Sequence, residues 1–373
     1  MEIIYTYQPP LRGKKIGVVF GSFAPLHQGH LDEIMRAKKE NDGGCIVIVC
    51  GYDGDKGEPL MPHNKRYRYV REFFADDELV SVYAINDTKI GVANYPNGWN
   101  GWLTEFSKIW EFAVMNHLDA KRVWYVGEEE YKQGLEQRGE KAILLDRKKN
   151  PISATMIRQN PIKHWNKITT PFKRVFSTNI LIAGTASEGK TTLVKDLGKY
   201  FNAPYSYEWA RDYMKESCVD DTELDGADFI AFLQGQHNLN KSLINSHANN
   251  GVFFADTDSL VTRMYAEYYM NDDNFQMTDS EFKTVAAMAD ELTSKCKWDK
   301  IFLVCPHGKF VDDHTRYMGH SGMKERKELF DILCRNLKNA GLWEKVSIID
   351  GNYYENFITV CDYVKGVIEN GKG

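Results

Sequence analysis

Residues 179–192, NILIAGTASEGKTT, leave the least freedom to a chain of this kind. An apolar run enters Gly184, and Gly184-Thr-Ala-Ser-Glu-Gly189-Lys190-Thr191 matches G-x-x-x-x-G-K-[ST] at every fixed position. Glycines at that spacing let the backbone curl until successive N–H groups point at one centre, and the helix start behind them adds partial positive charge. The loop therefore calls for a phosphate chain. Lys190 is placed to neutralise β- and γ-phosphate oxygens and Thr191 to ligate Mg²⁺, with Gly184, Glu188, Gly189 and Thr192 completing the loop. Such a loop needs a strand before it and a helix after it, which implies an α/β sheet.

The other apolar runs agree. Residues 251–256, 300–306 and 345–350 read as strands of the same domain. In the first half, residues 15–21, 44–51, 78–85, 122–127 and 141–146 read as strands. These runs are near-continuously apolar rather than alternating, which predicts parallel sheets covered on both faces. Helical periodicity lies between them at Leu31–Asn41, His63–Phe74 and Gly101–His117. A chain of 373 residues is too long for one ordinary domain. Residues 150–176 hold three prolines and clustered positive charge, and only their start looks helical. The expected division is 1–168 and 169–373, two α/β domains.

Composition narrows the class. Net charge is −5 and pI near 6.1, so a nucleic-acid footprint would have to be one local patch. The start, MEIIYTYQPP, lacks the basic and apolar regions of a signal peptide, and no apolar run reaches the roughly 18 residues of a membrane span. Cysteines 45, 50, 218, 296, 305, 334 and 361 are odd in number and contain no Cys-x-x-Cys. They read as reduced thiols of a cytoplasmic protein.

In the second half, Asp256 ends the apolar run GVFFAD and is the candidate Mg²⁺-side carboxylate. Asp258 is a second candidate or a helix cap. Residues 203–213, APYSYEWARDY, fall where a second strand should end. Glu208 is placed there to accept a hydroxyl proton, which would make the domain a kinase rather than a hydrolase. Arg211, three residues on, could share its face toward phosphate or acceptor; the alternative is a surface salt bridge. Trp209 stands between them as a candidate acceptor contact. Residues 314–330 are polar and rich in Arg and Lys, as a lid closing Arg316 or Arg326 over phosphates would be, or as a solvated mixed-charge helix.

The first half carries its own pattern, GSFAPLHQGH, residues 21–30. A strand ends near Gly21; Gly21, Ser22 and Phe23 form a turn with exposed N–H groups. His27 and His30 sit one helical turn apart, so both imidazoles can face one point. Gly29 leaves room for a ligand against the backbone. Two convergent histidines can stabilise charge building on phosphate oxygens; a metal pair is the alternative, with no obvious third ligand. Residues 152–158, ISATMIR, could add Ser153 or Thr155 from a helix start and a bidentate Arg158.

Together these residues resemble the His-x-Gly-His nucleotidyltransferases, most closely the nicotinamide-nucleotide adenylyltransferases, joined to a P-loop kinase. The whole chain resembles the bifunctional NadR type. The resemblance rests on GSFAPLHQGH, GYDGDKGEP (51–59), YPNGWNGW (95–102), ISATMIR, GTASEGKTT and EWARDY (208–213). It implies a Rossmann-like nucleotidyltransferase followed by a ribosylnicotinamide kinase, which together make NMN from nicotinamide riboside and then NAD, using Mg²⁺ with ATP. By that resemblance His27 and His30 bind the triphosphate; Ser153, Thr155 and Arg158 hold phosphates; and Trp99 or Trp102 stacks on the nicotinamide ring, core packing being the alternative. Lys190, Thr191 and Asp256 would manage ATP·Mg²⁺, and Glu208 would deprotonate the riboside 5′-hydroxyl. A homo-oligomer is expected on the same ground. Some relatives carry an N-terminal helix-turn-helix; the first strand here begins near residue 15, so direct DNA binding is not expected. The competing expectation is a riboside kinase whose first domain senses NAD or ATP with little or no turnover.

Overall fold

The computed structural model describes residues 8, 10–115, 119–146, 151–271, 277–307 and 322–370. It forms two compact units, the first ending at Phe176 and the second starting at Ser177.

The first unit is built on five parallel strands: β1 (Lys15–Gly21), β2 (Cys45–Gly51), β3 (Val80–Asn86), β4 (Lys121–Val126) and β5 (Ala142–Leu144). Their order is β3-β2-β1-β4-β5. Because side chains alternate along a strand, the apolar runs split between the two faces. Cys45, Val47 and Val49 of β2 join one core, with Val19 of β1; Ile46 and Ile48 join the other, with Ile16 and Val18. Helices Gln28–Lys39, His63–Phe73 and Thr170–Phe176 cover the first face, and helix Trp99–Val114 the second. Burial on both sides is why these strands read as unbroken apolar runs.

The second unit repeats the plan with β6 (Thr178–Gly184), β7 (Tyr205–Ser206), β8 (Val252–Ala255), β9 (Lys300–Val304) and β10 (Val346–Ile349), in the order β10-β9-β6-β8-β7, all parallel. Leu181, Ala183, Phe253 and Ala255 face one core, under helices Gly226–Ile244, Ser259–Met270, Asp279–Lys295 and Met323–Asn339. Ile180, Ile182, Val252 and Phe254 face the other, against helices Lys190–Phe201 and Tyr353–Asn370. Asp258 caps helix Ser259–Met270, accepting from Leu260 N at 3.0 Å and Val261 N at 3.2 Å, and its other oxygen takes the Trp298 indole at 2.9 Å. It is a buried cap rather than a phosphate-side acid.

The division falls eight residues later than the expected 168/169. Residues 170–176, TPFKRVF, form a helix, with Pro171 in its first turn where a missing N–H costs nothing. Phe172, Val175 and Phe176 share one face at i, i+3, i+4 and enter the first unit's core, where Phe172 meets Tyr69 edge-on at 5.3 Å. The three prolines hid this short amphipathic turn. Phe172→Ala should therefore destabilise the first unit by about 3–5 kcal/mol. Urea unfolding followed through the first unit's tryptophans checks this; a loss under about 1 kcal/mol would mean the helix is peripheral to that core.

Candidate active sites

The central strand β1 has β2 on one side and β4 on the other, so the loops leaving it diverge over a crevice at the carboxyl edge of the sheet. Gly21 closes the strand and Ser22 follows; Phe23 adopts φ +44° with its ring buried. His27, extended at φ −141°, is the N-cap residue of helix Gln28–Lys39, and His30 lies within its first turn. Their rings stack at 3.8 Å, 22° from parallel, and Phe23 meets His30 edge-on at 5.0 Å. His27 is pinned by a bridge to Ile168, and Thr169 donates to the Leu26 carbonyl from N at 3.3 Å and Oγ1 at 3.1 Å. Gly29 lines the cleft, and it also stands against the His27 ring. A Cβ there would lie 3.1 Å from His27 Cε1 and 3.3 Å from Ile152 Cγ2. The glycine admits the His27 ring itself.

Ser153 is the cap of helix Ala154–Gln159, accepting from Met156 N at 3.2 Å, and with Thr155 it lines the cleft. Arg158 does not present an open fork: it donates to the Ala24 carbonyl and, at 3.1 Å, to Thr155 Oγ1. In this state it ties the ISATMIR helix to the histidine loop.

Trp99 and Trp102 are both packed and cleft-lining. Each is over nine-tenths buried, Phe20 lies 6.2 and 5.4 Å from their rings, and Trp102 stacks on Phe106 at 5.9 Å. The cleft, ≈ 990 Å³, reaches from the histidines and Ser153 to these tryptophans, enough for a dinucleotide.

Sequence reasoning missed Arg66. Fully buried in helix His63–Phe73, it pairs with Asp55 and donates to the Ser22 carbonyl at 2.6 Å and the Cys50 carbonyl at 3.3 Å. One guanidinium thus joins the ends of β1 and β2 to the GYDGDKGEP loop. GYDGDKGEP itself was visible, but a lone arginine in a charged helix gives no signal of burial.

In the second unit the phosphate loop joins β6 to helix Lys190–Phe201. Gly189 sits at φ +74°, a conformation that L side chains resist. Lys190 is buried and its Nζ donates to Thr185 O at 2.7 Å, folded onto its own loop; Thr192 lies exposed on the first turn. Thr191 Oγ1 donates to Asp256, the residue after β8. Burial pushes Asp256 up to about 6, and Glu208 adds to the rise, against the pull of Lys190, Thr191 and Arg211. Glu208 starts helix Trp209–Ser217 just beyond β7, and Arg211 Nε donates to it at 2.8 Å. Glu208 is nearly buried, while about a third of the Arg211 side chain stays exposed. Beside it lies a small cavity, ≈ 40 Å³, walled by Phe229, Phe232, Tyr265 and Tyr269. Trp209 is not on that wall; its backbone N–H is held by Gln236 at 2.8 Å and its ring lies against the helix backbone at Gly235.

Arg326 also differs from expectation. It is buried in helix Met323–Asn339, pairs with Glu188 of the phosphate loop, and donates to the His307 carbonyl at 3.3 Å. It braces the loop from the side, which sets aside the solvated alternative for this residue. Arg316 lies outside the described residues. Among the described residues, no group of three or more His, Cys, Asp or Glu side chains could hold a metal ion.

A family model described as cytidylyltransferase-like matches residues 18–160, and one described as an AAA domain matches 179–355. The trifunctional NAD biosynthesis/regulator protein NadR of Salmonella typhimurium is 29% identical over 368 residues, 95% of this chain and 84% of that one. Two solved structures extend the likeness to the fold. NadR in complex with NR has a TM-score of 0.84 and 34% identity, covering 98% of both chains. NadR in complex with NAD and AMP-PNP has the same TM-score and identity, covering 97% of this chain and 98% of that one. Identity at that level, carried across both units without a break, means that the chain belongs to the NadR family.

Proposed function

We infer that the chain is a bifunctional enzyme of NAD salvage. Its second unit phosphorylates nicotinamide riboside with ATP to give NMN and ADP, and its first unit adenylylates NMN to NAD with release of pyrophosphate. The observation that carries this reading is the presence of two separately built phosphate-binding sites in a chain matching, end to end, NadR structures holding NR in one case and NAD with AMP-PNP in the other.

In the kinase reaction the riboside enters at the aromatic cavity, which has to widen to take it, with its 5′-hydroxyl toward Glu208. Glu208 takes the proton as the oxygen attacks the γ-phosphorus, and ADP leaves. Arg211 keeps the carboxylate oriented, Lys190 leaves the Thr185 carbonyl for the β- and γ-oxygens, and the Arg326–Glu188 pair holds the loop in shape. The hydroxyl of Thr191 and carboxylate of Asp256 form a hard-oxygen donor set suited to Mg²⁺. The ion, when bound, would neutralise phosphate charge.

In the transferase reaction a phosphate oxygen of NMN attacks the α-phosphorus of ATP, and the bond to pyrophosphate breaks. No covalent enzyme intermediate is needed. His27 and His30 stabilise the charge gathering on the phosphate oxygens, with Ser153 and Thr155 beside them and Trp99 or Trp102 against the base. Arg158 joins them by exchanging the Ala24 carbonyl for phosphate. The reading extends to a cytoplasmic homo-oligomer. Among the described residues no helix is long and apolar enough to cross a membrane.

The two half-reactions can be separated by chromatography of products from nicotinamide riboside or NMN with Mg·ATP. His27→Ala should lower NAD formation from NMN by about 10²–10³-fold and leave NMN formation from the riboside intact. Glu208→Gln should do the reverse, lowering NMN formation by about 10²–10⁴-fold while NAD formation from NMN persists. Either variant affecting both reactions alike would contradict the assignment of one chemistry to each unit.

A further inference from the structure

Strand pairing brings the two acid-bearing loops of the second unit side by side but stops short of the acids' side chains. β7 and β8 pair at Tyr205 with Phe254 and at Ser206 with Ala255, and Asp256 N donates to the Ser206 carbonyl at 3.3 Å. Glu208 lies two residues beyond the end of β7, and Asp256 follows the end of β8. Helix Gly226–Ile244 reaches both loops. Its buried face is apolar at Phe229, Phe232 and Leu233 and then changes to amide at Gln236 and Asn240, which are 2% and 4% exposed. Residues four apart share one side of a helix. A leucine at either place would pack without further demand, whereas a buried amide is tolerated only when its hydrogen bonds are met.

Gln236 Oε1 accepts from Trp209 N at 2.8 Å, and Gln236 Nε2 donates to the Tyr207 carbonyl at 3.1 Å. These belong to the two peptide groups on either side of Glu208, so one side chain brackets the backbone of that residue. Gln236 Nε2 also donates to Asn240 Oδ1 at 3.1 Å, and Asn240 Nδ2 donates to the Thr257 carbonyl, one residue past Asp256, at 3.2 Å. The polarity is forced from end to end. The Trp209 N–H demands the Gln236 oxygen, which turns the Gln236 nitrogen to Asn240 and so the Asn240 nitrogen to Thr257. A continuous relay thus runs from the peptides flanking Glu208 to the loop of Asp256, shielded from water, where such bonds are strong. Gln236 lines the aromatic cavity; Asn240 stands one turn farther along, off that wall.

Resting on the riboside kinase reading given above, we propose that Gln236 and Asn240 are positioning residues of the kinase, acting as one unit that fixes the loop bearing Glu208 against the loop bearing Asp256. Neither takes up a proton or touches a reacting atom. They act on where the base stands relative to the phosphate side of the site, and a misplacement of about 1 Å there can cost about 10²-fold in rate. Placement of this kind is felt in the transition state more than in ground-state binding, so its loss lowers kcat with little change in KM.

The test is NMN formation from nicotinamide riboside and Mg·ATP by the full chain, with rates expressed per folded molecule and amide hydrogen exchange followed in parallel. Asn240→Leu and Gln236→Met should each lower kcat at least about tenfold, and Asn240→Leu should keep KM for both substrates within about threefold. The double variant should lose no more than about threefold beyond the worse single variant, because a relay cut once is already open. Exchange should quicken in residues 203–213 and 256–258 and stay slow in β6, which a general loosening of the unit would not produce. A smaller loss of kcat in folded variants, losses that multiply in the double variant, or exchange raised evenly across the unit would overturn the proposal. Should neither variant unfold cooperatively, the wild type decides through the Trp209 amide. At the first position of its helix that N–H has no partner within the helix, so protection of at least about 10²-fold supports the Gln236 bond and exchange as fast as an exposed loop overturns it. A wild type that forms no NMN from the riboside removes the kinase reading itself, and this proposal with it.

Discussion

Both sites depend on parallel strand pairing around a buried central strand. β1 and β6 each stand third in a five-stranded sheet, hydrogen-bonded on both sides and covered on both faces. Parallel strands deliver every following loop to the same edge, so phosphate-binding turns, carboxylates and aromatic walls distant in sequence converge there. Gly29 lies against both His27 and Ile152, His27 bridges to Ile168, and Thr191 meets Asp256, because of that edge. The chemistry needs only placed charge and hydrogen-bond donors, and a rigid sheet supplies the placement.

Each edge is braced by a charge pair that solvent does not reach, Arg66–Asp55 in the first unit and Arg326–Glu188 in the second. Removing two charges from water is expensive, and such pairs are weak sources of stability. Their geometry gives a better account of them. Arg66 holds the Ser22 and Cys50 carbonyls together, and Arg326 holds Glu188 within the phosphate loop and the His307 carbonyl beside it. Both arginines spend a multi-donor group on fixing loop backbone close to where phosphate would bind, a use for which a planar fork is suited and lysine is not.

Much of this was legible in the sequence. The glycine spacing of residues 184–191 and the histidine spacing of residues 27–30 are local rules, readable without a fold. The strands were legible because burial on both faces leaves continuous apolar runs. What escaped reading was decided by tertiary contact. Arg158 and Arg326 look like open phosphate ligands in a one-dimensional pattern; only the fold shows that in this state Arg158 holds the Ala24 carbonyl and Arg326 the Glu188 carboxylate. The sequence places Trp209 between Glu208 and Arg211 as an acceptor contact; the fold adds that its ring lies against the backbone at Gly235. Residues 170–176 look like a linker because prolines conceal a one-sided helix.

The central claim is that one chain performs two phosphorus transfers, each drawing on a different phosphate of ATP. Supplying nicotinamide riboside with ATP labelled separately at the α- and γ-phosphorus tests this directly. The account requires NAD carrying one label from each position, the γ-phosphorus on the nicotinamide side and the α-phosphorus on the adenosine side. NAD that acquires only the α label, or a riboside that never acquires the γ label, would contradict it.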